Sequence, residues 1–455
     1  MPMKVLLDYG LACGLSFLAI TAFFPATEVL AGDQSDTLLT TTTPHETYNT
    51  FGPPLTLKDA LSFTLQHSPY LAAFSQEIKA RNFETLQAGL LPNPELSVEV
   101  DNVAGSGSYS GTDSAETTVR LSQRIELGGK RMLRKSAGSS RQHLAQQEFD
   151  MAQVEATAST TYRFIGVLAA QMRLALAHEE IDLASKVRMA VEDRVEAGKS
   201  TAIEAVRFQA VEAEFRLHEE KVRQELGAAR RALAWALGAE HVDFGSVQGS
   251  IDTIQILPDW SELVAMLEKS PELILQQRIG KDYDHQLALE QARRLPDLTV
   301  SLGAKNDQDS GDNALIAELS IPLPLFNKNS HNIAALQSRL EKAKSEKMAA
   351  QLGLRTVLAE AFQQLQGAHS DVVLLREEII PSSQKIFDAS TYGYEAGKFG
   401  FLVVLEAQRT LFDVKERYID SLEMYHKAVV ELERILGQKI AADGVLAISD
   451  MNESR

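Results

Sequence analysis

The chain has 455 residues and a formal charge of −17, from 62 acidic side chains against 45 Lys and Arg. That balance excludes a general nucleic-acid binder, whose affinity rests on clustered cations. The length is that of about three average domains, and the lone cysteine, Cys13, rules out a disulfide framework.

The first residues predict a leader. Lys4 precedes a mostly apolar run from Gly10 to Phe24, and Val29-Leu30-Ala31-Gly32 offers a small-residue cleavage site after Ala31. Two other fates stay open. One is an uncleaved anchor, against which Asp8 and the shortness of the run both count. The other is lipidation of Cys13, which follows Gly10-Leu11-Ala12. Cleavage after Ala31 removes the only cysteine, as suits an exported chain that uses no thiol chemistry. A Thr-rich segment, 32–54, comes next. No run of 18 or more apolar residues follows the leader, so a membrane crossing by this chain must use strands.

From residue 55 the sequence is written twice. Glu-Ala-Gly-Lys stands at 196–199 and again at 395–398; HSPYL at 67–71 faces KSPEL at 269–273, and Pro94 faces Pro296. VRLSQRIELGGKR faces AELSIPLPLFNKN with Ser122 on Ser320, and ALAWALG at 232–238 faces ELERILG at 431–437. A period near 200 is too long for a solenoid unit, so this is a duplicated domain. The first repeat runs over 55–240, a linker over 241–258, the second repeat over 259–437 and a tail over 438–455.

Each repeat predicts the same elements in the same order. A short helix begins after Thr56 or Asp259, and Ser68-Pro69 or Ser270-Pro271 reads as the N-cap and first-turn proline of a second. Strands follow at about 94–103 and 116–127, and at 296–305 and 314–324. Leu96, Val98, Val100, Val119, Leu121, Ile125 and Leu127 alternate with polar residues, at the length that crosses a bilayer when tilted. A half-buried hairpin of a water-soluble domain has the same period.

Long helices come next. Residues 131–197 contain no proline, which predicts a helix on the order of 100 Å; a second runs to Gly238. In the second repeat a helix from 331 is expected to stop at Pro381, with further helix to Gly397 and a last one to Gly437. Glu-Ala-Gly-Lys therefore marks a tip in each repeat, where glycine ends one helix and the chain reverses. The nucleotide-loop reading of Gly198-Lys199-Ser200 fails on Asp193, which stands where the first glycine is needed, and on Phe399, which replaces the hydroxyl in the second copy. The fold class is mixed α+β, mainly α, with duplicated halves.

A leader followed by two copies of helix, strand, loop, strand and helical hairpin resembles the TolC-like outer-membrane efflux duct family over residues 55–437. LPNPELSVEVDN and QRIELGGKR are similar to its cobalt–zinc–cadmium resistance branch. The resemblance implies a homotrimer in outer-membrane lipid. Each chain would give four strands to one twelve-stranded barrel and its helices to a periplasmic tube. The implied partners are a periplasmic membrane-fusion adaptor protein and an inner-membrane RND pump, with no catalysis and no cofactor.

By the same resemblance Gly198, Lys199, Gly397 and Lys398 would form the periplasmic tip that meets the adaptor. Tyr394 and Glu406 match the family's gate pattern, but its nearer acid falls on Val403 and its tip arginine on Phe399. Glu204 and Arg207 supply charges at the corresponding offsets of the first repeat, so a looser, charge-lined iris is expected. The strand polar faces, with Glu99, Asp101, Arg120, Arg124, Glu126, Lys305 and Glu318, would point into the barrel lumen. Ten histidines include no i, i+4 pair and no His-x-His, so a dedicated zinc or copper site is not expected. The competing readings are a periplasmic helical adaptor or interaction protein, and the same duct serving a multidrug pump.

Overall fold

The computed structural model describes residues 54–440 except 243. The expected leader and its cleavage site, Cys13, nearly all of the Thr-rich segment and the tail beyond 440 lie outside the described residues.

The first repeat opens with β1 (Leu55–Thr56), α1 (Leu57–His67) and α2 (Pro69–Ala88). The Thr56 hydroxyl accepts the Asp59 N–H as the N-cap of α1. The hairpin β2 (Glu95–Asp101) and β3 (Glu116–Ile125) follows, then α3 (Lys130–Glu196) and α4 (Ala202–Leu237). At 67 residues α3 is about 100 Å long. A linker carries β4 (Val247–Gln248), which pairs parallel with β1, Leu55 facing Val247.

The second repeat repeats the order: α5 (Trp260–Leu267), α6 (Pro271–Ala292), β5 (Leu298–Asp307), β6 (Asn313–Ser320), α7 (Ser330–Leu374), α8 (Ile380–Glu395) and α9 (Phe401–Leu436). The expected stop at Pro381 does not occur. A widened π turn at Leu375–Ile379 carries α7 into α8. Proline lacks the N–H that would return to the preceding turn and its ring crowds the carbonyl there; the wider turn makes the room, and Pro381 then sits in the first turn of α8.

All four longer strands form one antiparallel sheet in the order β2-β3-β5-β6. The ladders correct one match between the repeats. Ser320 lies opposite Thr299, whose counterpart Ser97 lies opposite Arg120. Ser320 therefore corresponds to Arg120, two residues from Ser122. The left-handed N-caps agree with this shift: Gly129 (φ 68°) before α3 and Asn329 (φ 57°) before α7. The Leu-Ser pair common to both copies is a local coincidence of letters.

The sheet has two unlike faces. Leu96, Val98, Val100, Val119, Leu121, Leu302, Leu315 and Leu319 share one face and are all exposed. The opposite face carries Glu99, Asp101, Glu116, Arg120, Lys305 and Glu318. The strands end earlier than expected at the helix side: Glu126 and Leu127 lie beyond β3, and β6 stops before Pro322 and Pro324, which cannot donate to a ladder.

The core lies among the helices in two clusters. One, at mid-length, gathers Leu55, Phe164, Ile165, Leu233, Leu263, Leu365 and Leu422 around the β1–β4 pair. The other, toward the tips, gathers Phe208, Phe215, Phe387, Tyr394, Phe401 and Leu411. Between them and the sheet the buried apolar positions of α3 are all alanine, Ala137, Ala145 and Ala152, which lets neighbouring helices approach closely.

Candidate functional site

Both tips are closed by the same backbone device. In the first, Gly198 (φ 68°) follows α3, with Lys199 N–H donating to Arg194 O at 2.8 Å and Gly198 N–H to Val195 O at 3.0 Å. In the second, Gly397 (φ 73°) follows α8, with Lys398 N–H on Gly393 O at 2.7 Å and Gly397 N–H on Tyr394 O at 2.9 Å. Glycine is required at both because a Cβ disfavours the left-handed turn. Lys199 and Lys398 are exposed beside them.

The side chains of the two tips differ, and the difference joins them. Arg194 of the first tip corresponds to Gly393 of the second, and Ser200 to Phe399. The Phe399 ring folds onto Gly393, where any Cβ would collide with it. Arg194 reaches across instead: its Nη1 donates to the Tyr394 carbonyl at 2.8 Å and the Glu395 carbonyl at 3.3 Å, and its Nε to the Ser200 hydroxyl at 3.4 Å. The guanidinium also lies 4.7 Å from the centroid of the Tyr394 ring, within cation–π range. Arg194 is absent from the sequence-derived set; laying repeat on repeat and finding Arg opposite Gly is the signal that could have exposed it.

The expected gate residues are not brought together. Tyr394 is only 3 % exposed and packs against Phe401 inside the tip cluster, so its ring builds the tip and cannot line an opening from this position. Its hydroxyl has no partner in the described residues. Glu406 is exposed on α9, Glu204 half-buried in the first turn of α4 and Arg207 exposed one turn on, with no ion pair among them.

On the polar side of the sheet Arg120 sits between two carboxylates, 3.7 Å from Glu99 and 3.6 Å from Glu318. Gly303 stands directly opposite Arg120 in the ladder and leaves it that space. Lys305 pairs with Glu116, and Asp101 and Arg124 lie on the same face. Glu126 does not. Past the end of β3 it turns to α3 and forms a two-pronged pair with Arg134, so it fastens the strand–helix junction. Lys130 fastens the other side, donating to Asp297 at 2.6 Å.

Toward the tips, α3, α4 and α9 line a half-open cavity of about 290 Å³ with Glu180, Glu214, Asp413 and Glu416, beside Arg173, Arg409 and His218. Burial first, then the neighbouring Glu416, Asp413 and Glu214, push Glu180 up to about 7. No group of three or more His, Cys, Asp or Glu among the described residues is arranged to hold a metal ion. No helix among them is long and apolar enough to cross a membrane.

The family model described as "Outer membrane efflux protein" matches residues 60–239 and 265–438, one segment in each repeat. The chain is 34 % identical over 386 residues to the cobalt-zinc-cadmium resistance protein CzcC of Cupriavidus metallidurans, covering 85 % of this chain and 90 % of that protein. It is 25 % identical over 312 residues to the nickel-cobalt-cadmium resistance protein NccC of Alcaligenes xylosoxydans xylosoxydans, covering 69 % of each. Among solved structures, a crystal structure of CusC superposes with a TM-score of 0.70 at 17 % identity, covering 84 % of this chain and 92 % of that one.

Proposed function

Because the chain belongs to the outer membrane efflux protein family, we propose that it is the exit duct of a tripartite efflux system that exports heavy-metal cations. It is an outer-membrane channel with a periplasmic helical extension, and not an enzyme. The cargo reading rests on one observation above the others, the 34 % identity to a cobalt-zinc-cadmium resistance protein over nine-tenths of its length.

The physical features support each part of this reading. Ten-residue strands such as β3 and β5 are long enough to cross a bilayer at a tilt, with an exposed apolar face for lipid and a polar face for water. Helices of about 100 Å give the reach from the outer membrane into the periplasm. Four strands are too few for a closed pore, and both edges of the sheet are open; three copies would supply twelve strands. The tips with Lys199 and Lys398 would dock the adaptor, while an RND pump would supply the energy. Charges at Glu204, Arg207 and Glu406 would surround the mouth.

Growth of a deletion strain on graded cobalt, zinc, cadmium, copper, silver and nickel salts, beside antibiotics and bile salts, tests the cargo. Sensitivity confined to metals supports the reading. Sensitivity to drugs and detergents with metal tolerance unchanged would leave the duct and overturn its cargo. For the mouth, Glu204→Ala with Glu406→Ala should raise single-channel conductance in a planar bilayer; unchanged conductance would remove these residues from it.

A further inference from the structure

All four strand–helix junctions lie at one end of the sheet, since the register brings the start of β2 and β5 level with the end of β3 and β6. Most carboxylates at this foot are taken. Glu126 is held by Arg134, Asp297 by Lys130 and Glu290 by Arg293. Only Glu95, exposed at the start of β2, forms no ion pair there among the described residues. Four cations are left over: Arg131 and Lys135 in the first turns of α3, Arg294 between α6 and β5, and Lys328 between β6 and α7. Each is exposed and forms no ion pair among the described residues. Arg131 donates from Nε to the Gly89 carbonyl at 2.6 Å, which fixes the side chain and leaves its two Nη groups without a partner among those residues.

The opposite end of the sheet has the reverse sign. Its loops, 102–115 and 307–312, contain Asp113, Asp307, Asp309 and Asp312 and no Lys or Arg. In a chain of net charge −17, a rim of unpaired cations is therefore a local feature. The foot is also apolar. Leu91, Leu295, Leu325 and Phe326 are exposed there, Phe326 completely, next to the exposed apolar face of the strands. Long cationic side chains beside an apolar skirt suit the boundary of a bilayer, where the stems lie along acyl chains and the charged ends reach phosphate.

We infer that the foot of the sheet is a docking collar for phospholipid, in which Arg131, Lys135, Arg294 and Lys328 hold headgroup phosphates of the periplasm-facing leaflet and favour lipids of net negative charge. The inference rests on the reading, proposed above, that the sheet crosses the outer membrane with its helices on the periplasmic side. The free Nη groups of Arg131 can take one phosphate in two parallel hydrogen bonds, whereas Lys135 and Lys328 act as point charges. Carboxylates of a neighbouring copy are the competing partners. A second copy, however, brings one free Glu95 together with four free cations of its own, so pairing between copies leaves the foot positive. The collar fixes depth and direction at once: the cations stop at the phosphate level, and the acidic loops at the far rim offer phosphate nothing.

The test uses protein purified from outer membranes in a neutral detergent and titrated with short-chain phosphatidylglycerol or phosphatidylcholine, bound lipid being counted by native mass spectrometry. Phosphatidylglycerol should be retained several-fold better, and the preference should shrink as salt rises. Arg131→Gln, Lys135→Gln, Arg294→Gln and Lys328→Gln together should abolish it, in protein whose circular dichroism matches the unaltered chain. Lys328→Gln alone should lower it in part, and Arg131→Lys with Arg294→Lys should keep most of it. Arg355→Gln with Lys385→Gln, further down the helices, should leave it intact. Equal retention of the two lipids by the unaltered chain, or a preference that survives the fourfold substitution, would overturn the collar and leave the duct. Loss of the preference on adding inorganic phosphate at constant ionic strength would also overturn it, and would assign the cations to a free anion. Release of the protein from washed membranes by salt alone would instead sink the spanning sheet on which the inference stands.

Discussion

Arg194 of the first repeat holds the backbone of Tyr394 in the second, with a 2.8 Å hydrogen bond to its carbonyl and the guanidinium 4.7 Å from its ring centroid. The two tips are thus not free to move apart without breaking a charge-assisted bond and a cation–π contact. Together these are worth on the order of 1–3 kcal/mol. Arg194→Ala should therefore speed hydrogen exchange of the amides at 397–399 by about tenfold, since each 1.4 kcal/mol is a factor of ten. Arg194→Lys should recover only part of the protection, because an ammonium keeps the charge and loses the planar fork. Unchanged exchange in Arg194→Ala would show that the tips are held together by the aromatic cluster alone.

How much of this was legible in the letters depends on the range of the interaction. Gly198 and Gly397 could be placed at tips because a left-handed C-cap is a local demand that glycine answers. The sheet faces were legible because Leu96, Val98 and Val100 alternate in a run. Arg194 was not, since its partners are backbone carbonyls about 200 positions away and carbonyls leave no mark in a sequence. Glu126 misled because alternation continues past the last ladder pair, while Arg134, eight residues on, draws its carboxylate away from the polar face. Pro381 misled in the other direction: a helix stop is the isolated-helix answer, and packing of α7 and α8 on α9 keeps the helix going through a π turn.

Packing of the tip cluster is expected to depend on one pair of rings. Phe208 is fully buried and stands edge-on to Phe401, with centroids 5.4 Å apart. Phe208→Ala removes about 3–5 kcal/mol of burial and contact. The loss should appear as early local unfolding of α4 and the start of α9 under pulse proteolysis, with the mid-length core unaffected. Cleavage confined to the mid-length core would place the cooperative unit elsewhere.

Glu180 makes the stability of the packed helices pH-dependent. Burial, then Glu416, Asp413 and Glu214, raise it from the ordinary 4.5 to about 7, so between those values the folded chain holds a proton the unfolded one releases. Its stabilising contribution is full below about 4.5 and is lost as the pH rises through 7. Glu180 keeps partial access to solvent, so the effect is about 1–2 kcal/mol after screening. His426 works in the opposite sense: burial lowers it, and charging it below its usual range weakens the core where its ring meets the Ile251 carbonyl. The slope from Glu180 lies below about pH 7 and is clear of His426 only above about pH 6.5, so the informative range runs from a deprotonated baseline near pH 8.5 down to about pH 6.5. Across it, thermal stability should rise toward the lower pH, and Glu180→Gln should flatten the slope. A slope unchanged in Glu180→Gln would assign the dependence to another group, with Glu433, also raised to about 7 by burial, the next to replace.

Arg120 offers the most direct test of which side of the sheet meets the permeating ions. Its guanidinium stands between Glu99 and Glu318 on the polar face, over the space left by Gly303. If that face lines the lumen, Arg120→Ala in three copies removes three positive charges and leaves six carboxylates with no cation between them. The cluster in each chain, one cation against two carboxylates, then goes from net negative to more strongly negative, and cation permeation should be favoured. The reversal potential of the reconstituted channel under a potassium chloride gradient should move toward the potassium equilibrium value, and the shift should shrink in high salt as screening grows. Glu318→Gln should move it the opposite way. An unaltered potential in both variants, in channels of normal conductance, would place the polar face away from the ion path.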